Sequence, residues 1–295
     1  MIRAFGLQGM KKKKLNYLAW VTLTGLMASP GTLAADSTGH LVNLPNVQLW
    51  VTDSGGTGEP VILFHPTTAN SEIWQQSIPA FVDAGYRVIS FDKPGWGKSI
   101  VDVQKTPLPV VETLDTLFDL LELEEVHLVS TANGGYFAFD YAIWQPKRVK
   151  SLVIAASGLG LDDDPEGDAF RERAEIPGMR QQPSEIREIS PLYRGMNPEG
   201  VTRWMEIHNN GQQEGAVEPP LLTPNTPQKI ATLDVPIFVI AGGIDLVTPS
   251  GAIRLWSQHL TVPFEWLLVP EAGHMLVWEQ PNVFNQAVIE FLQKH

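Results

Sequence analysis

The chain contains no cysteine. That excludes a disulfide framework, a thiolate metal site and a cysteine nucleophile. A domain of this length can do without disulfides, because its own core carries the stability. Positive charge is also scarce: 21 lysines and arginines face 33 aspartates and glutamates, for a net charge of −12. Such an excess of anions argues against nucleic-acid backbones and anionic membrane surfaces as partners. The sequence has no internal repeats and no low-complexity tract. With 43% hydrophobic and 18% charged residues, its 295 residues can build one large packed domain rather than a disordered chain.

The first 35 residues read as an export signal. Lys11, Lys12, Lys13 and Lys14 form a basic region, residues 15–27 an apolar one, and Ala34 and Ala35 a small-residue cleavage site before Asp36. Thr22, Thr24, Gly25, Ser29, Pro30 and Gly31 interrupt a run already near the minimum for a membrane span, which disfavours an uncleaved anchor. The expectation is an exported protein, periplasmic or secreted, with no membrane contact after cleavage. Removing these residues takes away Arg3 and four lysines but no acid, so the remainder is more acidic still.

Beyond the signal, strand and helix patterns alternate. VQLWVTD (47–53) alternates apolar and polar residues like an outer strand. VILF (61–64) is a short, fully apolar run of the kind buried parallel strands show, and RVISF (87–91), HLVS (127–130), SLVIAA (151–156), PIFVIAG (236–242) and FEWLLVP (264–270) read as further strands. Helical spacing marks 71–84, 108–123, 133–145, 249–260 and 281–293. This order predicts an α/β fold, a mostly parallel sheet with helices on both faces. Residues 158–235 break the rhythm: they are acidic, then mixed, then rich in proline and glycine, with helices expected near 167–175 and 198–209. The predicted organisation is a signal over 1–35, a core over 36–157 and 236–295, and a helical cap over 158–235 at the sheet's carboxyl edge. Open α/β sheets hold their ligands at that edge. LDDDPEGD (161–168) reads as a solvated loop or helix start rather than a metal site.

One further absence matters most. VSTANGG (129–135) has the strand–turn–helix context of a nucleophile elbow, with Ser130 and Gly134 as the small residues two before and two after the apex. The apex itself is Ala132. Around this turn the chain resembles the α/β-hydrolase superfamily, and the resemblance covers nearly all of residues 45–293. FHPTTANSEIW (64–74) resembles the oxyanion loop, with Pro66 in the place of a glycine. FDKPGWGKS (91–99) resembles the loop after the fourth strand, GGIDLVTP (242–249) the acid loop, and EAGHMLVWEQP (271–281) the histidine loop.

The resemblance implies Asp245 as the acid and His274 as the base of a Ser-His-Asp-type site, in the family's order. It also implies the N–H groups of Asn133 and Thr67 as the oxyanion hole. A hydroxyl at the apex becomes nucleophilic when an imidazole takes its proton and a carboxylate fixes the imidazole's tautomer. Ala132 has no hydroxyl to activate. Ser130 still belongs to the strand, and Thr131 is expected to point away from the apex.

Three meanings of Ala132 stay open: a silenced hydrolase, a protein that only binds its ligand, or a site where His274 activates water or a substrate proton without a covalent step. The substrate class implied is a small ester, lactone or ketone with a scissile C–C bond. The insertion and GLG (158–160) faintly resemble carbon–carbon bond hydrolases of aromatic breakdown, although an exported enzyme fits that pathway poorly. The alternative is a non-hydrolytic binder or lyase with His274 as base.

Of the remaining candidates, His65 is expected to anchor the oxyanion loop by hydrogen bonds and is counted with Trp204 as a substrate-binding residue, and Asp92 is expected to brace its own loop. His127 is expected to be satisfied at the start of a buried strand. His40, His208, His259 and His295 lack metal-ligand spacing, and no metal or organic cofactor is expected. Trp74, Trp204 and Trp278 read as packing, with Trp204 the candidate to line the substrate pocket. GWG (95–97) lacks the lysine and hydroxyl of a phosphate loop and reads as a turn.

Overall fold

The computed structural model describes residues 39–101 and 108–295. The expected export signal lies outside the described residues. Among those described, no helix is long and apolar enough to cross a membrane.

Among the described residues, nine strands form one sheet. In chain order they are β1 (His40–Leu44), β2 (Val47–Asp53), β3 (Pro60–Phe64), β4 (Arg87–Phe91), β5 (Ile100–Val101), β6 (Val126–Thr131), β7 (Val149–Ala155), β8 (Ile237–Gly242) and β9 (Phe264–Val269). The spatial order is β1-β2-β4-β3-β6-β7-β8-β9, with β5 paired to β2. Pairs from β4 to β9 are parallel, while β1, β2 and β5 are antiparallel. The sequence does not mark β1, because of its five residues only Val42 is buried, with Leu44 half-buried against the same core.

The central strands read as unbroken apolar runs because both faces are covered. In β3, Ile62 and Phe64 join the core on one face, and Val61 and Leu63 the core on the other. β7 divides in the same way, with Leu152 and Ile154 against Val153 and Ala155. Helices α1 (Ile78–Asp83), α2 (Val110–Leu120) and α3 (Gly134–Trp144) follow the early strands. The helix expected over 71–84 is two pieces, a 3-10 turn at Ser71–Trp74 and then α1. The chain restarts there because Pro79, with no N–H to donate, suits the first turn of a new helix.

Between β7 and β8 lie α4 (Pro165–Ala174), α5 (Ser184–Glu188), α6 (Pro191–Met196), α7 (Pro198–Asn209) and α8 (Pro227–Ile230). Asp164 caps α4 by accepting from Gly167 N–H at 3.0 Å, so the acidic run is a helix start. The returning chain is tied to α3: Asp140 accepts from Leu222 N–H at 2.7 Å and from the Thr223 hydroxyl at 2.9 Å. Ile230, Leu233 and Val235 already belong to the main core, so the last residues of the stretch expected to be cap pack under the sheet. Then come α9 (Ser250–Ser257), α10 (Leu276–Glu279) and α11 (Pro281–Leu292).

Register brings the site together. Phe64 of β3 pairs with Ser130 of β6, so the loops leaving both strands start side by side. Gly134 makes this approach possible: a Cβ there would stand 2.4 Å from Phe64 O and 2.8 Å from His65 O. Replacing Gly134 by alanine should favour the helix by up to about 1 kcal/mol. The backbone clash should outweigh that gain and leave a net loss of roughly 1–3 kcal/mol. The urea midpoint of Gly134→Ala measures the balance, and an unchanged or raised midpoint would contradict this packing.

Candidate active site

The elbow is held in a strained conformation. Ala132 has φ +49°, in the left-handed region that side chains rarely enter. Its N–H donates to Ala155 O at 2.9 Å, and its carbonyl accepts from Gly135 N–H at 3.0 Å. Gly135 must be bare for the same reason as its neighbour, since a Cβ would meet the Ser157 side chain at 2.6 Å. Neither nearby hydroxyl reaches the apex role. Ser130 donates to Val153 O at 2.7 Å, inside the sheet, and Thr131 is fully buried.

A cavity of about 190 Å³ opens over the elbow, walled in part by Thr67, Ala132, Asn133, Glu188, Thr248 and His274. Asn133 is the N-cap of α3, and Thr67 lies in the loop after β3. Among the described residues, neither of these two N–H groups donates to another part of the chain. Both residues line the same cavity as Ala132, where the oxyanion hole is expected from the sequence.

His274 faces them. Its Nδ1 donates to Asp245 Oδ2 at 2.9 Å, which leaves Nε2 as the basic nitrogen. The other oxygen, Asp245 Oδ1, accepts from Val247 N–H at 2.8 Å and from Thr248 N–H at 2.7 Å. The carboxylate therefore braces its own loop and orients the imidazole at once. Burial opposes the imidazolium. The Asp245 charge and hydrogen bond, with Glu188 and Glu279 beyond, outweigh burial and hold the His274 pKa above its ordinary value.

Two acids escaped sequence reasoning. Glu188 ends α5, is 2% exposed, and accepts from the Thr68 hydroxyl at 2.6 Å. Its backbone carbonyl accepts from Met275 N–H at 3.1 Å, which joins the segment between β7 and β8 to the loop of His274. Glu279 accepts from Gly273 N–H at 3.1 Å and Ser190 N–H at 3.2 Å, a second tie between the same segments. EIREI (185–189) looks like a solvated charge cluster in sequence, and nothing in it signals that Glu188 is buried. Lys93 also escaped notice: it is 2% exposed beneath the cavity.

Two expected pocket residues lie elsewhere. Trp204 is fully buried in the core and stacks on His208, with ring centroids 5.1 Å apart, so it does not wall the cavity. His208 is half-buried, and its Nδ1 bonds to Thr68 O at 2.8 Å. His65 is likewise not a wall residue. Its Nε2 accepts from Lys93 N–H at 3.0 Å, which fixes Nδ1–H as the donor to Pro66 O at 2.8 Å. It braces the oxyanion loop from behind. Asp92 braces the next loop by accepting from Ser71 and Lys98 N–H, both at 2.8 Å. His127 is satisfied by Ser151 at 2.8 Å and Glu59 at 3.1 Å, a Ser-His-Glu chain at the opposite end of the strands. Its serine and histidine are fully buried, so no substrate can reach them.

Among the described residues, no cluster of side chains could hold a metal ion. A mostly parallel, doubly covered sheet, a strained strand–turn–helix apex and an imidazole–carboxylate pair opposite it define the α/β-hydrolase architecture. The sequence pattern of the alpha/beta hydrolase family matches residues 61–287, and the chain belongs to that family. It is 27% identical over 278 residues to the 2-hydroxy-6-oxononadienedioate/2-hydroxy-6-oxononatrienedioate hydrolase of Pseudomonas sp., with 84% of this chain and 93% of that protein covered. A thermophilic esterase from Thermogutta terrifontis, solved with malate bound, is 25% identical at a TM-score of 0.69, over 84% of this chain and 94% of its own. The enol-lactonase of Burkholderia xenovorans LB400 shares the fold at a TM-score of 0.70 and 18% identity, over 86% and 100% of the two chains.

His65 generates a pH prediction. Burial, with the Lys93 charge beside it, pushes its pKa from 6.5 to about 3. The unfolded chain therefore binds a proton below pH 6.5 that the native ring refuses, so stability falls as pH drops towards 3. Between pH 6.5 and 4.5 this one ring should cost roughly 2–3 kcal/mol. Urea unfolding at the two pH values should show a smaller drop for His65→Gln than for the parent; equal drops would exclude a protonation-resistant His65.

Proposed function

We propose that this protein handles a small carbonyl compound of the ester, lactone or ketone class, within a serine-hydrolase framework whose nucleophile position is Ala132. The observation that carries this reading is the 2.9 Å His274–Asp245 hydrogen bond, set across a small cavity from the strained apex and two unpaired amides. The carbonyl oxygen would sit at the N–H groups of Thr67 and Asn133, with its carbon above the Ala132 methyl. An esterase, an enol-lactonase and a hydrolase of an oxo-dienedioate among the similar proteins support the substrate class.

No acyl-enzyme can form on a methyl group. His274 can still take a proton from water or from a substrate carbon next to the carbonyl. The second reading, a binder or lyase with His274 as base, rests on that chemistry. The reading also includes export of the chain, with cleavage after Ala35; N-terminal sequencing of the protein recovered outside the cytoplasm tests this.

The deciding test is fluorophosphonate labelling, read by intact mass. The serine form, Ala132→Ser, should label and the Ala132 form should not. In a protease whose triad was dismantled, losing the serine cost roughly a million-fold in kcat, so the contrast should be all-or-none on the laboratory timescale. The labelling rate should rise with pH, because the base must be neutral, and its midpoint should lie above 6.5 because the Asp245 pair raises the His274 pKa. If neither form labels, the pocket is not assembled for acyl transfer and the binding reading replaces this one. Labelling of the Ala132 form would mean that another side chain is the nucleophile.

A further inference from the structure

Directly behind the two candidate oxyanion amides lies a buried ammonium. Lys93 leaves the end of β4 and runs inward, 2% exposed, to donate from Nζ to Asn133 Oδ1 at 2.8 Å, Glu218 Oε1 at 2.5 Å and Thr67 Oγ1 at 3.3 Å. The Trp96 ring centroid lies 3.9 Å from Nζ, and the indole N–H donates to Thr67 O at 2.7 Å. Glu218 closes the circuit by accepting from the Thr67 hydroxyl at 3.3 Å. One cation thus grips the side chains of both residues proposed to supply the oxyanion amides, and both of them line the cavity. Among the described residues, its carboxylate partner comes from the loop that follows α7.

A buried ion pair is weak support for a fold, since apolar side chains of similar size often serve stability as well or better. The contacts of Lys93 point instead to charge placed where the site would use it. We propose that Lys93 is a positioning residue of the oxyanion hole: it fixes Thr67 and Asn133 and sets a positive charge behind the oxygen that becomes anionic. Glu218 holds that charge in place from the inserted segment. This inference rests on the carbonyl-site reading above.

The charge should be titratable. Burial lowers the Lys93 pKa to about 8, with the Glu218 charge working against that fall. The other titratable groups packed around it stay neutral near that pH: His65 at the end of β3, whose pKa is about 3, and Tyr136 of α3, whose phenol burial raises. Asp92, next in the chain, is engaged by the two amides of its own loop. Deprotonation near pH 8 therefore removes one positive charge from behind the amides.

The test uses the full chain carrying Ala132→Ser, with kinact and KI for a fluorophosphonate measured from pH 6 to 10. Adding Lys93→Met should lower kinact about 10- to 100-fold with little change in KI, somewhat less than the loss of an oxyanion donor itself. The parent rate should fall on an alkaline limb near pH 8, and that limb should be absent in Lys93→Met. Glu218→Gln changes a half-exposed side chain and should move the limb to lower pH, because the ammonium loses its partner. An unchanged kinact, or an alkaline limb that persists in Lys93→Met or ignores Glu218→Gln, overturns the proposal. If Ala132→Ser does not label at all, the carbonyl-site reading has failed, and the 13Cγ shift of Asn133 in the unsubstituted chain decides for Lys93 separately. A titration of that carbon near pH 8, lost in Lys93→Met, keeps the coupling; a flat shift rejects it.

Discussion

The candidate site depends on one close approach, that of α3's first turn to the end of β3. Gly134 lies so near the carbonyls of Phe64 and His65 that even a methyl group would collide with them. That contact seats the elbow against the neighbouring loop and sets the amide of Asn133 beside the amide of Thr67. Parallel pairing of β3 with β6 supplies the coarse alignment, and the missing Cβ supplies the last ångström. The strain at Ala132 is tolerated because the strand on one side and the helix on the other leave the turn no alternative.

Electrostatic order is built around the same spot in layers. Nearest the cavity stand His274 and the two amides. Behind His274 come Asp245 and then Glu279; behind the amides come Lys93 and then Glu218. Negative charge therefore lies on the imidazole side of the cavity and positive charge behind Thr67 and Asn133. Ties from the segment between β7 and β8 to the loop of His274, through Glu188 and Ser190, and to the loop after β3, through His208 and Glu218, join both halves of this arrangement.

The strands from β2 to β9, the two-residue β5 excepted, and the elbow were legible in the sequence because each is a local pattern: an apolar run closed by a turn. The loops carrying Asp245 and His274 were legible for the same reason, each being a short string at the end of a strand. What stayed hidden is contact across long separations. Lys93 sits in a loop that was read correctly as a loop, yet a lysine there looks solvated until Glu218, 125 residues on, returns over it. Glu188 was hidden in the same way, within a charged string that folds inward. Trp204 was misread for the opposite reason: a large aromatic in an insertion suggests a pocket wall, but stacking on His208 uses its face within the core. β1 left almost no trace, because one buried and one half-buried residue make too short a pattern.

The elbow also sets a short genetic distance. The codons of alanine and serine differ by one base at their first position. Everything at the turn that requires more extensive change is already in place: the bare glycines, the left-handed apex, the paired imidazole and carboxylate. A population carrying this gene would therefore reach a serine apex by a single transversion, into a backbone that needs no rearrangement to receive it. Selection at this one codon could move the lineage between a covalent and a non-covalent use of the same cavity, while the fold records neither choice.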